Sequence, residues 1–119
     1  MPSQSKTIQT YYEGWLSKSG NMDKSIFADN FKFKGPMGTI EDIDAFHDIV
    51  KKMAPGVSNI VVRAQFTNDL SQVCTIIDFI TEAPIKATTS CAEIFTLEND
   101  KIKNIELIYD SLPWAGVMK

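Results

Sequence analysis

The amino-acid sequence predicts a single α+β domain, with helices packed on one face of a mostly antiparallel sheet. Two observations carry that expectation. The first half of the chain holds segments with the apolar periodicity of amphipathic helices, and the second half is a run of β-branched and aromatic stretches joined by very short links. Links that short make hairpins and leave no room for crossover helices, so helices and strands segregate. At 119 residues the chain has the size of one domain with one core, and no repeat or low-complexity segment divides it, so residues 1–119 read as one domain.

Each element has its own warrant. From Thr7 to Ser17, the side chains Ile8, Tyr11, Tyr12, Trp15 and Leu16 fall at i, i+3, i+4, i+7 and i+8, which is one buried helix face. Gly20 with Asn21 suits its C-terminal cap. A second short helix is expected next, with Met22, Ile26 and Phe27 inward and Asp29-Asn30 at its exit. Phe31-Lys32-Phe33-Lys34 alternates apolar and charged residues, as a strand with one wet face does. Gly35-Pro36-Met37-Gly38 then forces a turn. The following helix takes Thr39 as candidate N-cap, acids Glu41, Asp42 and Asp44 in its first turn, and Lys51 and Lys52 near its end. Its inner stripe reads Ile43, Phe46, His47, Val50 and Met53 or Ala54, and Pro55-Gly56 stops it. Strands are predicted over 57–67, 72–81, 86–97 and 101–109, broken at Asn68-Asp69, Glu82-Ala83-Pro84 and Glu98-Asn99-Asp100.

Composition excludes several functions. Twelve basic residues face fifteen acidic ones and are scattered, so no basic face is available to neutralise a nucleic-acid backbone. No stretch approaches the roughly 20 apolar residues that cross a bilayer, and no membrane partner is expected. The N-terminus runs into its first amphipathic segment without the apolar block of a secretory signal. Cys74 and Cys91 sit in apolar runs as reduced small hydrophobes. A cytoplasmic location is the expectation. One histidine and two separated cysteines do not make a zinc set, so no metal is expected. Nucleophilic and phosphate motifs are missing too: no serine lies in a Gly-x-Ser-x-Gly turn, and the Gly35–Gly38 turn lacks a nucleotide loop's lysine.

The candidate chemistry lies in a few polar groups among apolar ones. Alternation puts Glu93 on the face of Thr89, Cys91, Phe95 and Leu97. If that face looks inward, desolvation raises the carboxyl pKa; if outward, Glu93 is solvated or at a dimer contact. His47, between Ile43, Phe46 and Val50, is either an acid–base partner across a pocket or a hydrogen-bonded core residue. Tyr11, Tyr12 and Trp15 form a core stripe in which one phenol could orient a ligand. Tyr109 shares a face with Ile105 and Leu107. Asp78 groups with Cys74, Ile76 and Ile80, opposite Ile77 and Phe79, which sends it to the outer face. That face, with Ala92 and Ile94 added, is apolar enough to need cover.

The element order, together with Tyr11-Tyr12-x-x-Trp15, Phe27-Ala28-Asp29-Asn30-x-x-Phe33-x-Gly35-Pro36-x-Gly38, Ile43-x-x-Phe46 and Ile105-Glu106-Leu107-Ile108-Tyr109-Asp110, resembles the nuclear-transport-factor-2-like superfamily over about residues 7 to 114. That superfamily includes ketosteroid isomerases and SnoaL-type polyketide cyclases. The resemblance implies a cone-like curved sheet wrapped around the N-terminal helices, one internal pocket and a homodimer through the outer face of the sheet. It also implies that an isomerase would carry its base as an aspartate where this chain has Gly35, and its two oxyanion donors at Tyr11 and Glu93. The resulting expectation is a pocket for a small hydrophobic molecule, without cofactor. Glu93, His47 and Tyr11 are its candidate catalytic groups, and Trp15, Phe27, Phe46, Ile77, Phe79, Cys91, Phe95, Leu107 and Tyr109 its lining. Isomerase-like or SnoaL-like proton transfer on a hydrophobic carbonyl compound is one reading. A non-catalytic binding or interaction module, motivated by Gly35, is the other.

Overall fold

A computed structural model of the chain describes residues 2–17, 19–36, 38–68 and 70–116. Met37 of the glycine-proline turn and Asp69 of the first hairpin break lie outside the described residues. Helix α1 (Pro2–Trp15) is followed by β1 (Phe27–Gly35), β2 (Gly38–Ile40), α2 (Ile43–Met53), β3 (Val57–Thr67), β4 (Gln72–Thr81), β5 (Ala87–Glu98) and β6 (Lys101–Ile108). Short 3₁₀ turns stand at Lys24–Ile26, Ala54–Gly56 and Leu112–Trp114. The sheet order is β2-β1-β6-β5-β4-β3. All neighbours are antiparallel except β1 and β6, the first and last strands of the chain, which run parallel. The two helices cover the inner side of this curved sheet, the α+β arrangement expected from the sequence. No helix among the described residues is long and apolar enough to cross a membrane.

Three local expectations are corrected. Helix α1 starts five residues earlier than the predicted segment, since Pro2, Ser3, Gln4, Ser5 and Lys6 carry no apolar stripe to read. The second helix shrinks to one 3₁₀ turn, capped by Asp23, whose Oδ1 accepts from Ser25 N at 2.9 Å. Phe27 to Asn30 belong instead to β1, where Phe27 pairs with Ile102 and an irregularity before Lys32 resets the register. The N-cap of α2 is Asp42, whose Oδ1 accepts from Asp44 N at 3.0 Å, and not Thr39. Thr39 pairs with Lys34 in the β1–β2 hairpin, which uses up the residues before the helix. The four long strands fall within one residue of their predicted spans.

The core is a set of interlocked rings: Tyr11 and Phe95 at 5.2 Å, Phe27 and Phe31 at 5.0 Å, Phe31 and Phe46 at 5.1 Å. Offset and edge contacts of this kind add to the area each ring buries. Gly20, at φ +69°, lets the exit of α1 cross α2 closely, because a Cβ there would lie 2.7 Å from Lys51 Cα. On the sheet, alternation turns Val73, Thr75 and Ile77 inward and Cys74, Ile76, Asp78 and Ile80 outward. Asp78 meets Arg63 Nε at 3.2 Å and accepts from Ser90 Oγ at 3.0 Å on that outer side.

Candidate functional site

Between the helices and the inner face of the sheet lies a cavity of about 290 Å³. Helix α1 contributes Tyr11, Tyr12 and Trp15 to its wall, and α2 contributes Phe46, Ile49 and Met53. These positions follow from the i, i+3, i+4, i+7 spacing of each helix. The sheet supplies Ile77 and Phe79 from β4, Cys91 and Glu93 from β5, and Leu107 with the following Tyr109 from the last strand and its exit. Glu93, Tyr11 and Ile77 are buried, whereas Pro36, Gly38 and Thr39 of the β1–β2 turn are exposed, so the turn marks the mouth and the carboxyl the inner end.

Nine of the twelve candidate site residues therefore meet at one cavity, and Phe27, Phe95 and His47 do not. Phe95 is fully buried beneath Tyr11 and Tyr12, at ring distances of 5.2 and 6.0 Å. Phe27 is enclosed by Tyr11, Phe31 and His47. Both are on the inner side of the sheet, but other rings fill the space in front of them. His47 is 2% exposed, with Nδ1 donating to the Ile43 carbonyl at 2.8 Å and Nε2 without a partner. Its ring packs against Phe27 and Phe46 in the core. The expected His47–Glu93 acid–base pair is thus not assembled.

Glu93 is built into a short chain of hydroxyls. It lies opposite Thr75 on β4, and Tyr12 reaches down from α1 between them. The Tyr12 hydroxyl donates to Glu93 Oε1 at 2.6 Å and stands 2.6 Å from Thr75 Oγ1. A phenol has one proton, so when Tyr12 gives it to Glu93 the Thr75 hydroxyl must donate to Tyr12. Burial pushes the Glu93 carboxyl up from 4.5 to about 7, against the pull of the Tyr12 and Tyr11 hydroxyls, which favour the carboxylate. Tyr11 and Tyr12 are both held well above the usual phenol range by burial and by the Glu93 charge, so both stay neutral donors. Cys91 is pushed up to about 12 by burial, then by Glu93 and Asp78, which leaves it a thiol and not a nucleophile. Tyr109 is raised by burial.

Gly35 also lines the cavity. A Cβ there would meet the Phe33 ring at 3.2 Å, so the ring occupies the space beside the position where an isomerase would carry its base. Among the described residues no group of three or more His, Cys, Asp or Glu could hold a metal ion.

The places of two residues at the cavity are not legible in the sequence. Tyr12 belongs to the helix stripe, but nothing in the stripe says that it, more than Tyr11, bonds Glu93. Trp114 lies after the last strand, outside any periodic segment. It is 3% exposed, lines the cavity and donates from Nε1 to Thr89 Oγ1 at 3.1 Å. A bulky indole after the last strand is its only sign.

Comparison with known proteins places this geometry among solved folds. No protein-family model matches the sequence, and no curated protein matches it. Solved structures do. A nuclear-transport-factor-2-like protein of unknown function from Cytophaga hutchinsonii superposes with a TM-score of 0.79 at 22% identity, covering 93% of each chain. Another such protein of unknown function, from Burkholderia xenovorans, gives 0.76 at 9% identity over 99% of this chain and 94% of its own. An LEH-like epoxide hydrolase from M. tuberculosis gives 0.74 at 10% identity over 92% and 84%. The chain has the nuclear-transport-factor-2-like fold, and these likenesses concern the fold alone.

Proposed function

We propose that the cavity binds a small, largely apolar carbonyl compound and that Glu93 moves a proton on it, as in isomerase-like or SnoaL-like catalysis. The observation that carries this reading is a carboxyl group buried at the inner end of an apolar cavity and held by the Tyr12 hydroxyl. A midpoint near neutrality keeps both protonation states in use. In the proposed step, ionised Glu93 takes a proton from the carbon beside the carbonyl, while the Tyr11 hydroxyl donates to the oxygen on which negative charge develops. Protonated Glu93 then returns that proton to the same or a neighbouring carbon. One carboxyl thus serves as base and acid in turn, in place of the expected pair with His47.

A wild-type protein incubated with unsaturated cyclic ketones in D₂O should accelerate exchange of the hydrogens beside the carbonyl, and Glu93→Gln should lower that rate by about 100-fold or more. The rate should rise with pH through about 7, because the base is the ionised form. Equal rates in the two proteins would reject Glu93 as the proton carrier. The second reading, a ligand-binding or interaction module without catalysis, is favoured by Gly35 at the base position. Ketone binding without exchange would select it. The outer face of the sheet supports a homodimer in either case, with Phe66, Val61 and Ile108 exposed and Cys74, Ile76, Ile80, Ala92 and Ile94 half-buried.

A further inference from the structure

We infer that the same cavity, with Glu93 ionised, is a binding site for an organic monocation: an ammonium group carried on an apolar body. The inference rests on the reading of the cavity as a small-molecule site and goes beyond it by naming a second ligand class. It starts from what the wall lacks. Glu93 is the only Asp, Glu, Lys, Arg or His among the described lining residues. The groups around it are Tyr11 and Tyr12 from α1, Thr75 from β4, Cys91 on its own strand and Leu107 opposite it on β6, and Tyr109 lines the same cavity. Each of these is neutral near pH 7, since burial holds the phenols and the thiol above their usual ranges.

A buried carboxylate with no cation beside it is costly, and the described wall supplies hydroxyl donors but no positive charge. The counter-charge is left for a ligand to bring. The rest of the wall suits that ligand. Tyr11, Trp15, Phe46, Phe79, Tyr109 and Trp114 all border the cavity, and aromatic faces attract a weakly hydrated ammonium while still burying its carbon body. The net charge of −3 favours approach of a cation and disfavours an anion. When the cation enters a cavity whose Glu93 is protonated, the carboxyl proton leaves to solvent, so binding releases up to one proton.

The test uses phenyltrimethylammonium and its uncharged isostere tert-butylbenzene, which share shape and differ in charge. Binding is followed by NMR titration at about pH 8.5 and about pH 5.5, on either side of the carboxyl midpoint, and by calorimetry in buffers of different ionisation enthalpy. The expected result is a preference of about tenfold or more for the cation at the higher pH, lost at the lower pH, with heats that depend on the buffer for the cation only. In Glu93→Gln, checked as folded by its near-ultraviolet dichroism, the preference should disappear. An isostere that binds as tightly as the cation at both pH values overturns the inference and leaves the small-molecule cavity standing. A preference that survives Glu93→Gln overturns it as well, by assigning the cation to another group. Failure of both probes to bind removes the cavity reading and the inference with it.

Discussion

At the scale of single residues, Glu93 carries the proposed chemistry and a cost in folding. Its carboxyl is raised from 4.5 to about 7 by burial, so the folded protein holds the proton more tightly than the unfolded chain does. Below about pH 4.5 the group is protonated in both states and costs nothing. As pH rises toward 7 the unfolded chain ionises while the folded one resists, and stability falls; the loss is complete about one unit above 7. Urea unfolding of wild type and Glu93→Gln should therefore show wild type losing about 3 kcal/mol relative to the variant between about pH 5 and about pH 8. A difference that stays constant with pH would mean that Glu93 is solvated. The Thr75–Tyr12–Glu93 chain belongs to this scale too. It lets one acid be buried with a partner, with the Tyr11 hydroxyl also favouring the carboxylate.

At the scale of elements, the structure moves boundaries more than it changes types. The α2 cap is the clearest case: acids at 41, 42 and 44 all suit a first turn, and Thr39 suits a cap, but the hairpin to β1 claims Thr39. Asp42→Ala should cost about 1 kcal/mol in thermal or denaturant unfolding, whereas Thr39→Ala should leave α2 capped and cost far less. The reverse order would restore Thr39 as the cap. The residues Phe27 to Asn30 mislead for a related reason. Phe27 and Phe31 are four apart, a spacing that lies on one face of a helix and on one face of a strand alike. Pairing with Ile102 on the last strand, 75 positions away along the chain, resolves it as strand.

At the scale of the whole molecule, the helices seal the inner face of the sheet and leave the outer face apolar. Phe66 is 61% exposed and Ile108 52%, on strands at opposite sides of the half-buried Ile76 and Ile94. A second copy seated there would cover them all. Light scattering on the eluting protein should give about twice the 13.3 kDa chain mass, and Ile94→Lys should return it to the monomer without loss of fold. A monomeric wild type at high concentration would reject the dimer.

Much of this architecture is legible in the amino-acid sequence alone. The amphipathic repeat of α1, the stripe of α2 and the period-two alternation of β4 and β5 are local properties of the chain. They determine the helices, the four long strands and which residues share a face with Glu93, while the packing of the helices decides that this face is the inner one. Tertiary structure alone also decided distance. Period and spacing say which face a side chain takes, but not what already fills the space in front of it. Phe95 and His47 face the core as their periods require, yet neighbouring rings close them off from the cavity. Tyr12, Thr75 and Trp114 come to the site from three separate segments, brought together by the crossing of α1 over the sheet and by the return of the chain after β6, contacts too far apart in sequence for any local pattern to announce.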